Sequence, residues 1–217
     1  AAFVDFGRER HGFLSFNDIQ SDYYQIPQSD LEKIKQEEEL VREKLIKESE
    51  QLEEKNLSEG NLAVEDPVEK KVENYENGEN IIVEKKYPNK RYKIQEVIKP
   101  NQVILVQVLK DERGLKGAAL STFISIAGKY IVLMPNTPKG GGISRKIFSP
   151  SDRKKIRSIL NQIEIPKEMG VIVRTAGSNK TKNEINHDLQ NLIKTWNLIK
   201  ENAINSIAPT LIHQESE

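Results

Sequence analysis

The sequence predicts an α+β chain, and three observations carry that prediction. Short apolar segments with strand-like alternation open the chain and recur between residues 92 and 134. Two later segments place apolar residues at helical spacing, Ile156, Ile159, Leu160 and Ile163, then Ile185, Leu189, Leu192, Ile193, Trp196, Ile199 and Ala203. Between the strand-like regions lies a charged stretch poor in apolar residues, 22–90, which reads as a long insert in a loop.

Residues 1–20 suit two short strands joined by a turn at Gly7-Arg8-Glu9-Arg10. Phe3 and Asp5 share one face of the first strand; Ala2, Val4 and Phe6 share the other. Residues 29–56 are rich in Glu, Lys and Gln with thin apolar content, as in a solvated helix. Leu31, Ile34, Leu40 and Leu45 make at best one stripe, with no partner visible in the sequence. Residues 57–90 add Asn, Gly and Pro and lose periodicity, which predicts an unpacked segment. Order resumes at Tyr92, Pro100-Asn101 turns, and 103–109 reads as a buried strand. Asp111-Glu112-Arg113-Gly114 turns again, 118–126 suits another strand, and 130–134 a third that ends at Pro135. Gly140-Gly141-Gly142 forms a tip, a helix follows from about 152 to 162, and Val171-Ile172-Val173 is a short buried strand. Thr181 and Glu184 have the spacing of a capping box for the last helix, which stops before Pro209.

Lys+Arg and Asp+Glu both total 33, so the chain is formally neutral. That balance hides an asymmetry. Residues 29–90 hold 18 acids and 11 bases, leaving 15 acids and 22 bases elsewhere. A basic body favours polyanionic partners through release of counterions. The absence of cysteine excludes disulfides and thiolate metal sites within the chain. His11, His187 and His213 are far apart and form no metal-binding motif. No apolar run approaches the ~20 residues of a membrane-spanning helix. The Ala-Ala-Phe-Val opening and the interrupted pattern at 211–217 suggest an internal fragment.

Phe3 and Phe13, beside Arg8 and Arg10, have the chemistry of a surface on which unpaired bases stack. Both rings could equally belong to a core, the commoner fate of Phe. Lys116 lies in a turn and suits either phosphate contact or plain solvation. The Gly140–Gly142 tip followed by Ser144, Arg145 and Lys146 offers backbone amides and cations, a weak phosphate-binding signal. Arg174-Thr175-Ala176-Gly177 is a sharper one. An Arg fork donates in pairs, Thr adds a hydroxyl and an amide, and Gly permits close approach. The competing reading is an Arg that satisfies buried carbonyls. There is no G-x-S-x-G, H-E-x-x-H or Walker loop, and no set of carboxylates suited to two-metal hydrolysis.

Several long motifs, in order, resemble one family. AAFVDFG and ERHGFL, ERGLKGAALSTFISIAGKYIVLMPN, GGISRKI, GVIVRTAG and LIHQES are similar to the amino-terminal half of the ribonuclease E/G family, bacterial endoribonucleases of mRNA decay and of rRNA and tRNA processing. The likeness covers residues 1–20 and 92–216 but not the insert. It implies an incomplete OB-fold (S1-type) β-barrel over 1–122, interrupted by the insert at 22–90. A small mixed α/β 5′-sensor region over 123–210 would follow, with 211–217 beginning an RNase-H-like subdomain. The family's RNA contacts would fall on Phe3, Phe13 and Lys116. Its 5′-monophosphate sensor would fall on Arg174 and Thr175, supported by Gly128, Val132 and Arg145.

The same resemblance implies that the barrel's first strands precede Ala1. The catalytic DNase-I-like domain with its Mg2+-binding aspartates, and the cysteines that hold Zn2+ between subunits, would lie outside this stretch. No catalytic residue and no metal ligand is therefore expected here, and the chain alone is expected to be inactive. The full protein would be a cytoplasmic homo-oligomer that cleaves single-stranded, AU-rich RNA. The rival expectation is a stand-alone S1-type RNA-binding module without nuclease activity. A third makes the acidic insert, 29–90, an arm that binds a protein partner.

Overall fold

Alternating apolar residues turn the start of the chain into a hairpin. The structure, a computed structural model, describes residues 1–59, 92–137 and 142–215, with the backbone alone at 45, 46, 49 and 52–59. Strand β1 (Ala2–Val4) pairs antiparallel with β2 (Gly12–Leu14), setting Phe3 opposite Phe13. Two single 3-10 turns follow at Phe16–Asp18 and Ser21–Tyr23, then the long helix α1 (Gln28–Glu59) and the one-turn helix α2 (Ile94–Val97). Strands β3 (Gln107–Lys110) and β4 (Ala119–Ser121) complete a first sheet of order β1-β2-β4-β3, in which β2 runs parallel to β4. Leu14, Ile19, Ala118 and Leu120 form its buried centre, with Val4, Phe6 and Tyr24 among the residues packed against them. Gly12 is required at that centre. A Cβ there would lie 2.4 Å from Leu120 Cδ1 and 2.8 Å from its Cγ.

The second sheet has the order β5-β6-β8-β7, built from β5 (Ile126–Ala127), β6 (Ile131–Met134), β7 (Gly142–Ile143) and β8 (Gly170–Val173). Helices α3 (Pro150–Gln162) and α4 (Lys182–Asn205) cover its apolar face. Ser149 caps α3, its Oγ accepting from Asp152 N at 3.3 Å, and Pro150 occupies the first helical position. Thr181 and Glu184 form the reciprocal capping box expected for α4. The expected stripe is buried through Ile185, Leu189, Leu192, Trp196 and Ile199.

Three expectations need correction. The run 118–126 is two strands, because β4 and β5 belong to different sheets. Distant groups impose the break. Thr122 N donates to Asp18 O (2.9 Å), Ile124 N donates to Asn136 Oδ1 (2.8 Å), and Asn136 Nδ2 donates to Thr122 O (2.8 Å) and Gln20 Oε1 (3.1 Å). The run 103–109 is not a buried strand either. Only 107–110 pairs, at an edge of the sheet, and Val103, Val108 and Leu109 are exposed. Finally, the charged stretch is packed at its start. Tyr23 and Tyr24 join the first core, Ile34 is buried, and α1 lies against the turn at Ser21–Tyr23. Lys35 pairs with Asp22 (2.6 Å), and Tyr92 hydrogen-bonds Asp30. The rest of the insert, 60–90, lies outside the described residues, as do Gly140 and Gly141 of the glycine tip.

Where α1 meets the first core, burial holds the Glu38 carboxyl above the ordinary carboxylate range, opposed by the Ser21 hydroxyl that donates to it at 3.0 Å. The nearby Asp22 charge pushes the same way as burial. A carboxyl raised in the folded state binds its proton more tightly there than in the unfolded chain. Its ionisation therefore costs stability as pH rises through that raised value. Glu38→Gln should raise the unfolding temperature at pH 7, and the gain should fade as pH falls below about 4.3, where the carboxyl is protonated even unfolded. Thermal unfolding of both proteins across pH 4–7 checks this; a gain independent of pH would contradict it.

Candidate nucleic-acid interface

An apolar ring on the outer face of a short strand stays in solvent unless another layer covers it. Phe3 is 74% exposed and Phe13 47%, so neither is a core residue. Their register across β1 and β2 brings the rings together edge to face, with centroids 6.2 Å apart. Two cations lie in the turn between these strands. Arg10 Nη1 donates to Gly114 O at 2.7 Å, tying the 7–10 turn to the 111–116 turn, and Arg8 pairs with Asp111. The backbone N–H of Glu112 and the Arg8 guanidinium hold the Asp111 carboxyl below the ordinary range. The Arg8 guanidinium also stands over the Phe6 ring at 5.4 Å. Lys116 closes the second turn through paired backbone bonds with Arg113 (3.1 and 3.0 Å), and its side chain is exposed. The same arch precedes Ala118, whose carbonyl accepts from Phe13 N at 2.8 Å.

The second cluster forms at one end of the second sheet. β7 and β8 run parallel and β6 antiparallel to β8, so the exits of β7 and β8 and the entrance of β6 share that end. Gly128 precedes β6, Arg145 follows β7, and Arg174 and Thr175 follow β8. Val132 lies opposite Ile172, half-buried, on the face away from the wholly buried Ile131 and Leu133. Topology therefore gathers Gly128, Arg145, Arg174 and Thr175, with Val132 one strand position further in. Arg174 N donates to Tyr130 O (2.8 Å), and its Nη1 donates to Gly128 O (2.7 Å). The side chain is otherwise exposed. One tip of the fork is thus a positioning contact, and five donors make further bonds possible. Thr175 opens a 3-10 turn, Thr175–Gly177, with its side chain in solvent.

Sequence reasoning missed the residue that shapes this corner. Asp188 on α4 is buried, and its carboxylate accepts from Ile131 N (3.1 Å), Tyr130 N (2.9 Å) and Lys129 N (3.3 Å). Gly128 lies so close above it that a Cβ would come 2.6 Å from Asp188 Oδ2. The signal was present, since an acid at 188 interrupts the apolar positions Ile185, Leu189 and Leu192. Lys180 adds a cation over the Tyr130 ring, 5.1 Å from its centroid. Among the described residues, no three His, Asp or Glu side chains converge as a metal site requires. No helix among them is long and apolar enough to cross a membrane.

Removing the Asp188 carboxylate strands three backbone N–H groups in a half-buried loop. Asp188→Ala should cost about 1–3 kcal/mol of stability. Urea unfolding measures this, and Gly128→Ala should act in the same direction because its methyl would displace the same carboxylate. An unchanged unfolding midpoint in both would mean that the loop is held by something else.

Comparison with known proteins finds relatives along the whole chain. The model of the ribonuclease E/G family matches residues 125–217, which include the whole second sheet together with α3 and α4. Ribonuclease E of Escherichia coli (strain K12) is 37% identical over 216 residues, covering 100% of this chain and 15% of that protein. Ribonuclease E of Haemophilus influenzae is 35% identical over 217 residues, 100% of this chain and 17% of that protein. A putative ribonuclease E of Buchnera aphidicola subsp. Baizongia pistaciae reaches 46% over 123 residues, 57% of this chain and 30% of that protein. The chain thus spans a minor part of the length of each of these relatives. Full-length alignment through both sheets, with a family match over the second, means that the chain belongs to the ribonuclease E/G family.

Proposed function

We propose that this chain is the RNA-gripping and 5′-end-sensing part of a bacterial endoribonuclease that acts in mRNA decay and in rRNA and tRNA processing. The observation that carries the reading is the corner at Gly128, Arg174 and Thr175. An exposed guanidinium there is oriented by a carbonyl whose own loop is anchored from below. A terminal monophosphate offers several acceptor oxygens and more charge than a 5′-hydroxyl. Arg174 would engage it in pairs, Thr175 would add a hydroxyl and an amide, and Arg145 would add charge. Val132 and Gly128 would set the width of the corner. A triphosphate is more negative still, so selection for the monophosphate would come from shape.

The first sheet would be four strands of an S1-type OB barrel. Its order β1-β2-β4-β3 has β1 and β3 as edges, and further strands would have to join them to close a Greek-key barrel. Phe3 and Phe13 would stack unpaired bases and Lys116 would neutralise a phosphate. Holding the strand at two points converts a loose encounter into an oriented one. Cleavage by Mg2+-assisted attack of water, the Zn2+ link and homo-oligomer formation would belong to the longer protein, and this chain alone would position RNA without cutting it.

Two experiments test this function. Arg174→Ala should weaken binding of 5′-monophosphorylated RNA while barely changing 5′-hydroxyl RNA, and Arg174→Lys should restore it only in part, since an ammonium lacks the planar fork. Equal loss on both ends would make Arg174 structural or a general RNA contact. Phe13→Ala should weaken single-strand binding by ~1–3 kcal/mol whatever the 5′ end, and Lys116→Ala should flatten the salt dependence of binding. Titrations by fluorescence anisotropy read both, and unaltered affinity and salt slope would remove the first sheet from the RNA path.

A further inference from the structure

The segment that joins the second sheet to α3 is built more rigidly than a connection requires. Arg153 on α3 is 8% exposed, and its Nη1 donates to Ser144 O (3.1 Å) and Ile147 O (3.2 Å). Burial lowers its affinity for its proton, yet the guanidinium stays charged. Ser144 N donates to Val173 O (2.9 Å), Ile147 N donates to Ser144 O (3.1 Å), and Ile147 is buried in the second core. On this braced loop Phe148 is held outward, 68% exposed. Its surroundings in sequence are cationic. Residues 142–162 contain six Lys or Arg and a single Asp, and Arg145, Lys146, Lys154 and Lys155 are exposed. A Phe kept in water forgoes apolar burial, and a loop braced to present it among cations suits a ligand with a flat face and negative charge.

We infer that Phe148, with Lys146, Lys154 and Lys155, forms a further contact for single-stranded RNA, the ring stacking on an unpaired base and the lysines neutralising phosphates. RNA is favoured over a protein partner by this charge and by continuity. β7 and β8 are parallel, so the braced loop and Arg174 leave the sheet at the same end. A strand whose 5′ end sits at Arg174 would pass onto this surface within a few nucleotides. That path rests on the function proposed above; the contact itself does not require a 5′ phosphate.

The test measures affinity of the purified protein for single-stranded RNA of about twelve nucleotides, within the range that such surfaces bind. The strand carries a 5′-monophosphate or a 5′-hydroxyl, and a 5′-monophosphorylated dinucleotide serves as the short control. Phe148→Ala should weaken the long strands about fivefold or more with either end and leave the dinucleotide unchanged. Lys154→Ala with Lys155→Ala should flatten the salt dependence for the long strands. Both changes lie on exposed positions, so the fold should persist, as unfolding temperature verifies. Unchanged affinity and salt slope for the long strands would overturn the inference, as would intact RNA binding with loss of binding to an acidic peptide. Arg174→Ala measured alongside separates the two ideas. If it fails to distinguish the 5′ ends while Phe148→Ala still weakens both, the sensor reading falls and the Phe148 contact stands.

Discussion

The end of the second sheet that carries Arg174 depends on one buried carboxylate. Asp188 reaches from α4 under the start of β6 and accepts backbone N–H groups from Lys129, Tyr130 and Ile131. Those groups precede the strand's ladder bonds and would otherwise lack partners in a partly dry place. Charge-assisted bonds of this kind are stronger than neutral ones. They also set the direction of the Gly128 carbonyl, which receives Arg174. The apolar stripe of α4 presses the helix against the sheet, and the single acid on that stripe converts packing into a shaped surface. Stability and site geometry are the same interaction seen from two sides.

The first sheet solves a different problem. Its aromatic pair gains only a mutual edge contact and stays in water, while the opposite face buries Leu14 and Leu120. The arch that carries Lys116 is tied to the 7–10 turn by Arg10, and Asp111 draws Arg8 to the same arch. The segment 121–125 then joins the two sheets, wired to Asp18, Gln20 and Gln107 on the side of the first sheet and to Asn136, just past β6, on the side of the second. Side-chain hydrogen bonds therefore link the sheet that carries the Phe3–Phe13 pair to the sheet that carries Arg174.

What was legible in the sequence was local. The capping box at Thr181 and Glu184 and the stripe from Ile185 to Ile199 each depend on residues within a turn or two of one another, and the structure has them as expected. What was not legible depended on distant partners. The apolar run 118–126 reads as one strand because nothing in it reveals that Asp18 and Asn136 will claim its backbone. The run 103–109 reads as buried because apolar content does not say which strand ends at an edge. Alternation put Phe3 and Asp5 on one face but could not say which face would be covered, so the exposure of Phe3 and Phe13 had to come from the structure. Arg174 stands out by its chemistry, whereas Asp188, a single acid on an apolar stripe, gains meaning only from the loop above it.

The most direct measurement follows backbone amides by NMR while a short single-stranded RNA is added, once with a 5′-monophosphate and once with a 5′-hydroxyl. The expected result is that the amides of Gly128, Arg174 and Thr175 shift with the phosphorylated strand and stay in place with the hydroxyl strand, while those of Phe3 and Phe13 shift with both. Equal shifts at Gly128, Arg174 and Thr175 with both strands, or none with either, would contradict a corner that reads the end of the RNA.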